Sequence, residues 1–257
     1  MADIPSDIDL AKKALGLLDL TDLGDQASEA GTLQLCAKAV AAPGPVAAIC
    51  IWPQFVSLAR RTLGSSAVRV ATVVNFPAGG TNVGRISGDT QEAIGDGADE
   101  IDLVMPYKAF LQGDAEIAAD MISEIKAVCG GTLLKVILET GAYPDQATIR
   151  AASDLAIGAG ADFIKTSTGK IAVSATPEAA ATMLEAIRAS GQPVGLKPSG
   201  GIRTLDDARI YLDLAARVMG PGWANPRTFR FGASGLYQSL VDVIGGRLVR
   251  ESGDGVY

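Results

Sequence analysis

Residues 160–170 read GADFIKTSTGK: a Gly-Ala-Asp triplet, a short apolar run that ends in a lysine, and a small polar loop with one glycine. The same triplet stands at residues 97–99, directly before EIDLVM. A helix-closing glycine followed by a buried strand and a polar loop, met twice, marks a chain of alternating strands and helices, which builds a parallel sheet. Working outward, the strand candidates are VAAICIW (46–52), VRVATVVNF (68–76), ADEIDLVM (98–105), TLLKVILET (132–140), ADFIKTS (161–167), VGLKPSG (194–200), ARVM (216–219) and TFRFGAS (228–234). Amphipathic stretches such as PDQATIRAASDLAIGAG and TPEAAATMLEAIRASG separate them; the second opens on Thr-Pro-Glu and closes at Gly191. Eight strands in 257 residues predict a (β/α)8 TIM barrel. A doubly wound open sheet is the alternative, but ICIWPQF lacks the glycine-rich turn that such a sheet carries after its first strand. One domain over residues 1–257 is expected, with two additional helices before Val46.

Composition narrows the chemistry. The chain carries a net charge of −7 and no long basic run, which argues against nucleic acid or an anionic membrane surface as partner. The opening MADIPSDIDLAKK has no apolar core of a signal peptide, and no segment reaches the length of a membrane span, so a cytoplasmic protein is expected. Cys36, Cys50 and Cys129 are odd in number and set among apolar residues, the pattern of reduced thiols. Cys50 reads as a small core residue near the barrel mouth, within reach of adventitious aldehydes or oxidants. There is no histidine, which removes His-ligated zinc and every mechanism that needs an imidazole.

Ionisable residues interrupt four strand candidates: Asp102, Lys135 with Glu139, Lys165, and Lys197. A single such lysine also fits a strand end whose ammonium reaches water. Lys165 and Lys197, however, both sit late in their strands, at the end of a parallel barrel where sites form, and one strand-helix unit apart. Neighbouring strands lie about 4.8 Å apart, so two inward lysines would be close. At about 4 Å and an effective dielectric near 20, like charges repel by about 4 kcal/mol, enough to lower a lysine pKa from about 10.4 to about 7.4. A lysine neutral at working pH is a nucleophile for carbonyl carbon and forms Schiff bases. Lys165, after Phe163 and Ile164, reads as the nucleophile; Lys197, beside Pro198 in a glycine-rich stretch, reads as the more open of the two. Asp102 and Lys197 are the candidates to move protons.

Three late loops, TSTGK (166–170), PSGGIR (198–203) and GASG (232–235), are rich in small residues, and the last leads into the helical LYQSLVDVI. Barrels bind phosphate with backbone N–H groups of such loops and a helix N-terminus, and Lys170 and Arg203 add charge.

Taken in order and spacing, EIDLVMPY, LLKVILETG, GADFIKTSTGK, GLKPSGGIRT and FRFGAS strongly resemble the deoxyribose-phosphate aldolase family of class I aldolases, from LLDLT near residue 17 to the C-terminus. The resemblance implies reversible aldol cleavage of 2-deoxy-D-ribose 5-phosphate to acetaldehyde and D-glyceraldehyde 3-phosphate, with no metal or organic cofactor. It implies Lys165 as the Schiff-base residue and Lys197 with Asp102 as the proton-transfer pair. Thr21 would lie near the sugar hydroxyls, and Thr168, Gly169, Lys170, Gly200, Gly201, Arg203, Gly232 and Ser234 would hold substrate and phosphate. Its partners would be phosphorylated sugar and aldehydes, and a homodimer is allowed. Relatives often carry Ala where this chain has Ser199 and Ser where it has Gly235; in some, a C-terminal tyrosine assists proton transfer, which here is Tyr257. Two other readings are a Schiff-base barrel aldolase with a ketose donor and a barrel that only binds a sugar phosphate.

Overall fold

The computed structural model describes residues 6–247; Tyr257 lies outside the described residues. Helix α1 (Asp7–Gly16) starts where the Ser6 hydroxyl accepts the Asp9 amide. Strand and helix then alternate: β1 (Leu18–Asp22), α2 (Glu29–Val40), β2 (Ala48–Ile51), α3 (Val56–Leu63), β3 (Arg69–Val74), α4 (Val83–Gly95) and β4 (Glu100–Val104). Two helices, α5 (Tyr107–Leu111) and α6 (Ala115–Cys129), precede β5 (Leu133–Ile137). The remainder is α7 (Gln146–Gly158), β6 (Phe163–Lys165), α8 (Pro177–Ser190), β7 (Gly195–Lys197), α9 (Leu205–Met219), β8 (Phe231–Ala233) and α10 (Leu236–Ile244). All strand pairs are parallel, in the order β7-β6-β5-β4-β3-β2-β1-β8. Parallel bridges Leu196↔Phe229 and Ser199↔Gly232 close β7 onto β8. The expected (β/α)8 barrel is therefore present.

Local signals explain the element ends. Thr176 caps α8 by accepting the Ala179 amide, Pro177 occupies its first turn, and Gly191 ends it at φ 66°, a left-handed position that glycine takes without steric penalty. A cap of this kind contributes about 1 kcal/mol.

Two expectations need correction. Residues 216–219 are not a strand; they form the last turn of α9, where Ala215 faces the core and Ala216 and Arg217 face water. The eighth strand is instead β1, within the stretch assigned to two extra helices. Both of those helices exist, but β1 lies between them, so α2 is the helix of the first strand-helix unit and α1 alone is additional. Helix α1 packs on α9 and α10.

The barrel interior has two unlike walls. On β2 and β3 it is small and apolar: Ala48, Cys50, Ala71 and Val73 pack with Leu23, under Trp52 and Phe76. The opposite wall carries charge, because register places Asp102 beside Lys135 and Lys165 beside Lys197. Two glycines permit the close approach of strands there. A Cβ on Gly195 would strike the Phe163 ring, and one on Gly232 would strike Ser199 and come within 3.0 Å of Lys197 Cε.

Candidate active site

Asp102 lies on β4 with no solvent exposure and receives three ammonium groups. Lys165 Nζ and Lys197 Nζ each donate to its Oδ2 at 2.7 Å. Lys135 Nζ donates to its Oδ1 at 2.9 Å. Lys197 is also 2.6 Å from Asp19 Oδ2, and Lys135 is 2.6 Å from Glu100 Oε2. Arg230 completes the chain, reaching Asp19 Oδ1 at 2.6 Å and Glu100 Oε1 at 2.8 Å. The cluster thus joins four cations (Lys135, Lys165, Lys197, Arg230) to three carboxylates (Asp19, Glu100, Asp102).

A buried surplus of one positive charge is unfavourable, and release of one proton removes it. The geometry selects which group releases it. Arg230 is a guanidinium, Lys135 touches Glu100 and Asp102, and Lys197 touches Asp19 and Asp102, whereas Lys165 has Asp102 alone. Burial pushes the Lys165 ammonium below the usual lysine range; Asp102 opposes this, and the like charge of Lys197 adds to it. Burial acts on Lys197 in the same direction, but Asp102 and Asp19 outweigh it and hold its pKa above the usual range. Burial would raise Asp102, yet Lys135, Lys165 and Lys197 hold it well below the usual carboxylate range. The two lysines are neighbours, as expected. Lys197 is not the more open one: its side chain is fully buried, because the glycine-rich loop starts only after Pro198, above the level of its ammonium.

Lys165 alone of this cluster reaches a cavity of about 400 Å³ at the carboxyl ends of the strands. All nine residues expected to hold substrate line it: Thr21, Thr168, Gly169, Lys170, Gly200, Gly201, Arg203, Gly232 and Ser234. Asp102 and Lys197 lie beneath it. Gly200 and Gly201 have φ of 81° and 80°, which a side chain at either position would strain. The first-turn N–H groups of α10 have no side-chain cap, and Ser234 and Gly235 at that helix start line the cavity, so its rim favours an anion. Lys170 lies at the same rim, 3.4 Å from Asp25. Thr168 has a second task, since its backbone N–H and hydroxyl both donate to the buried Glu139 and tie down the loop after β6. Cys50 is fully buried rather than at the mouth, 4.0 Å from Asp102 Oδ2, and burial raises its thiol pKa.

The profile of the DeoC/LacD family aldolases matches residues 18–234. The chain belongs to the DeoC/LacD aldolase family. The DeoC/LacD match begins on the first residue of β1 and ends at the loop before α10, so it brackets the barrel. The chain is 53% identical over 238 residues to the deoxyribose-phosphate aldolase of Agrobacterium fabrum strain C58, covering 92% of each. Among solved structures it resembles the apo form of a Toxoplasma gondii ME49 protein (TM-score 0.87, 25% identity, 93% of this chain and 97% of that one). It also resembles the deoxyribose phosphate aldolase of Aeropyrum pernix (TM-score 0.73, 25% identity, 93% and 92%).

Three members of the DeoC/LacD barrel's charge cluster were not singled out from sequence: Asp19, Glu100 and Arg230. A signal for them exists. Each stands two residues before an inward residue already chosen (Thr21, Asp102 and Gly232), and the strand period of two puts both on one face.

Proposed function

We propose that this aldolase cleaves 2-deoxy-D-ribose 5-phosphate reversibly to acetaldehyde and D-glyceraldehyde 3-phosphate through a Schiff base on Lys165. The observation that carries the reading is a lysine short of one carboxylate partner, set at the base of an anion-favouring cavity. The phosphate would rest on the glycine loops and the start of α10, with Lys170 and Arg203 beside it, and the open-chain aldehyde would extend down to Lys165. Neutral Lys165 attacks C1; the carbinolamine loses water and becomes an iminium. The C3 hydroxyl gives up its proton, the C2–C3 bond breaks, and its electrons pass into the iminium to form an enamine. D-glyceraldehyde 3-phosphate leaves, C2 takes a proton, and water releases acetaldehyde from Lys165. Asp102 and Lys197, which meet at the oxygen that also holds Lys165, are the pair assigned to move protons to and from the amine.

Among the described residues no helix is long and apolar enough to cross a membrane. A cytoplasmic setting is part of the same reading, supported by three free, buried cysteines. Borohydride reduction with 2-deoxy-D-ribose 5-phosphate or acetaldehyde, followed by mass spectrometry, is expected to place a two-carbon adduct on Lys165. Trapping only with dihydroxyacetone-type donors, or normal turnover by Lys165→Ala, refutes the assignment.

A further inference from the structure

The opposite end of the barrel opens onto the same charges. A cavity of about 590 Å³ at the amino ends of the strands is lined by Arg69, Asp99, Glu100, Arg227 and Arg230, among others. Asp99 is already paired with Arg60 at 2.8 Å and Arg69 at 3.6 Å. Glu100 and Arg230 instead point inward, with side chains only 3% and 5% exposed. From them an unbroken run of ion pairs climbs to the substrate cavity: Arg230 to Glu100, Glu100 to Lys135, Lys135 to Asp102, Asp102 to Lys165. A second branch runs from Arg230 through Asp19 to Lys197.

We propose that Arg230 and Glu100 at the barrel floor, each through its own charge and in opposite directions, tune the pH at which Lys165 is armed, although neither residue touches substrate. They are positioning residues, and the inference rests on Lys165 as the nucleophile. The groups that act on Lys165 directly are Asp102 from β4, Lys197 from β7 and Cys50 from β2, while Lys135 from β5 and Asp19 from β1 reach it through Asp102 and Lys197. Glu139, after β5, is engaged by Thr168 and makes no ion pair with the cluster. With four cations on three carboxylates, deprotonation of Lys165 balances the interior. Arg230→Met leaves three on three, so the interior is balanced while Lys165 is still charged, and arming it requires higher pH. Glu100→Gln leaves four on two, and Lys165 gives up its proton at lower pH. The double variant leaves three on two and restores the original surplus of one. A residue that merely holds the barrel together predicts no such reversal of sign.

The test follows cyanoborohydride trapping of acetaldehyde on Lys165 against pH. Acetaldehyde carries no phosphate, so the inflection reads the amine alone. Relative to the unaltered protein, the inflection is expected to rise on the order of one pH unit in Arg230→Met and to fall by a similar amount in Glu100→Gln. It is expected to return to within a few tenths of a unit in the double variant and to stay in place in Arg230→Lys, which keeps the charge. The inflection belongs to the molecules that fold, so a low yield leaves it readable, and either single variant compared with the double decides the matter. Shifts of the same sign in both single variants, or no shift in a single variant that still traps, overturn the proposal. Absence of trapping on Lys165 in the unaltered protein overturns instead the proposed function.

Discussion

Lys165 is held by one carboxylate oxygen, which it shares with Lys197. Its depressed pKa has a consequence for stability as well as for reactivity. A lysine whose folded pKa lies below the unfolded value of about 10.4 binds protons more weakly in the native state, so it opposes folding at every pH beneath that value. Lys165→Met removes this opposition, leaves three cations on three carboxylates, and keeps most of the side-chain volume. The variant is expected to be inactive and yet at least as stable as the parent at pH 7, with a melting temperature higher by about 2 to 4 °C for each kcal/mol recovered. Calorimetry checks this, and a large drop in melting temperature contradicts it. At this scale much of the site was legible. Lys165, Lys197 and Asp102 stood out because an ionisable group in a buried apolar strand is anomalous by itself. Asp19, Glu100 and Arg230 did not, since their meaning depends on partners from other strands, and strand neighbours are not written along the chain.

Strand β1 shows the same limit among the elements. LDLTD does alternate, but with its faces exchanged: Leu18 and Leu20 pack in the main apolar core while Asp19 joins the charges inside the barrel, and five residues between two helices are too short a run to stand out against the helical periodicity on either side. ARVM reads as strand because it is a short apolar run, and such a run fits the end of an amphipathic helix equally well. The strands around Lys165 and Asp102 are legible because both faces of those strands are buried, giving continuous apolar runs. The packing of β7 on β8 yields a sharper expectation. Gly232→Ala drives a methyl into the Ser199 hydroxyl and to 2.9 Å from its Cβ, at the seam where the loops of the cavity rim begin. It is expected to raise KM for the phosphorylated substrate by about tenfold, equivalent to about 1.4 kcal/mol, while trapping of free acetaldehyde changes less. Ser199→Gly, which removes both clashing atoms, is expected to recover part of that loss. Steady-state kinetics on the single and double variants decide whether the seam transmits the effect.

Across the whole molecule the buried cluster sets the acid limit. Lys197, Arg230 and Lys135 overcome the effect of burial on Asp19, and the three lysines do the same for Asp102, so both carboxylates have folded pKa values below the usual range. A depressed carboxylate stabilises the fold above its unfolded value of about 3.9, and that contribution is lost as pH falls toward the folded value. No histidine adds a transition near neutrality. Urea midpoints are therefore expected to hold between pH 6 and pH 5 and to fall steeply below about pH 4. A steady decline starting at pH 6 is incompatible with this account.

The closure of the barrel carries one more consequence. Seven strand pairs are joined by registered ladders, whereas β7 and β8 meet through two isolated bridges. Gly200 and Gly232, whose backbones bond across that joint at 3.2 Å, both line the cavity where the phosphate is proposed to rest. A bound phosphate would then act as a clasp on the one joint of the cylinder that lacks a continuous ladder. Inorganic phosphate alone is expected to slow amide hydrogen exchange at Gly200 and Gly232 more than at the β3–β4 ladder. Uniform slowing, or none, shows that the barrel needs no such fastening.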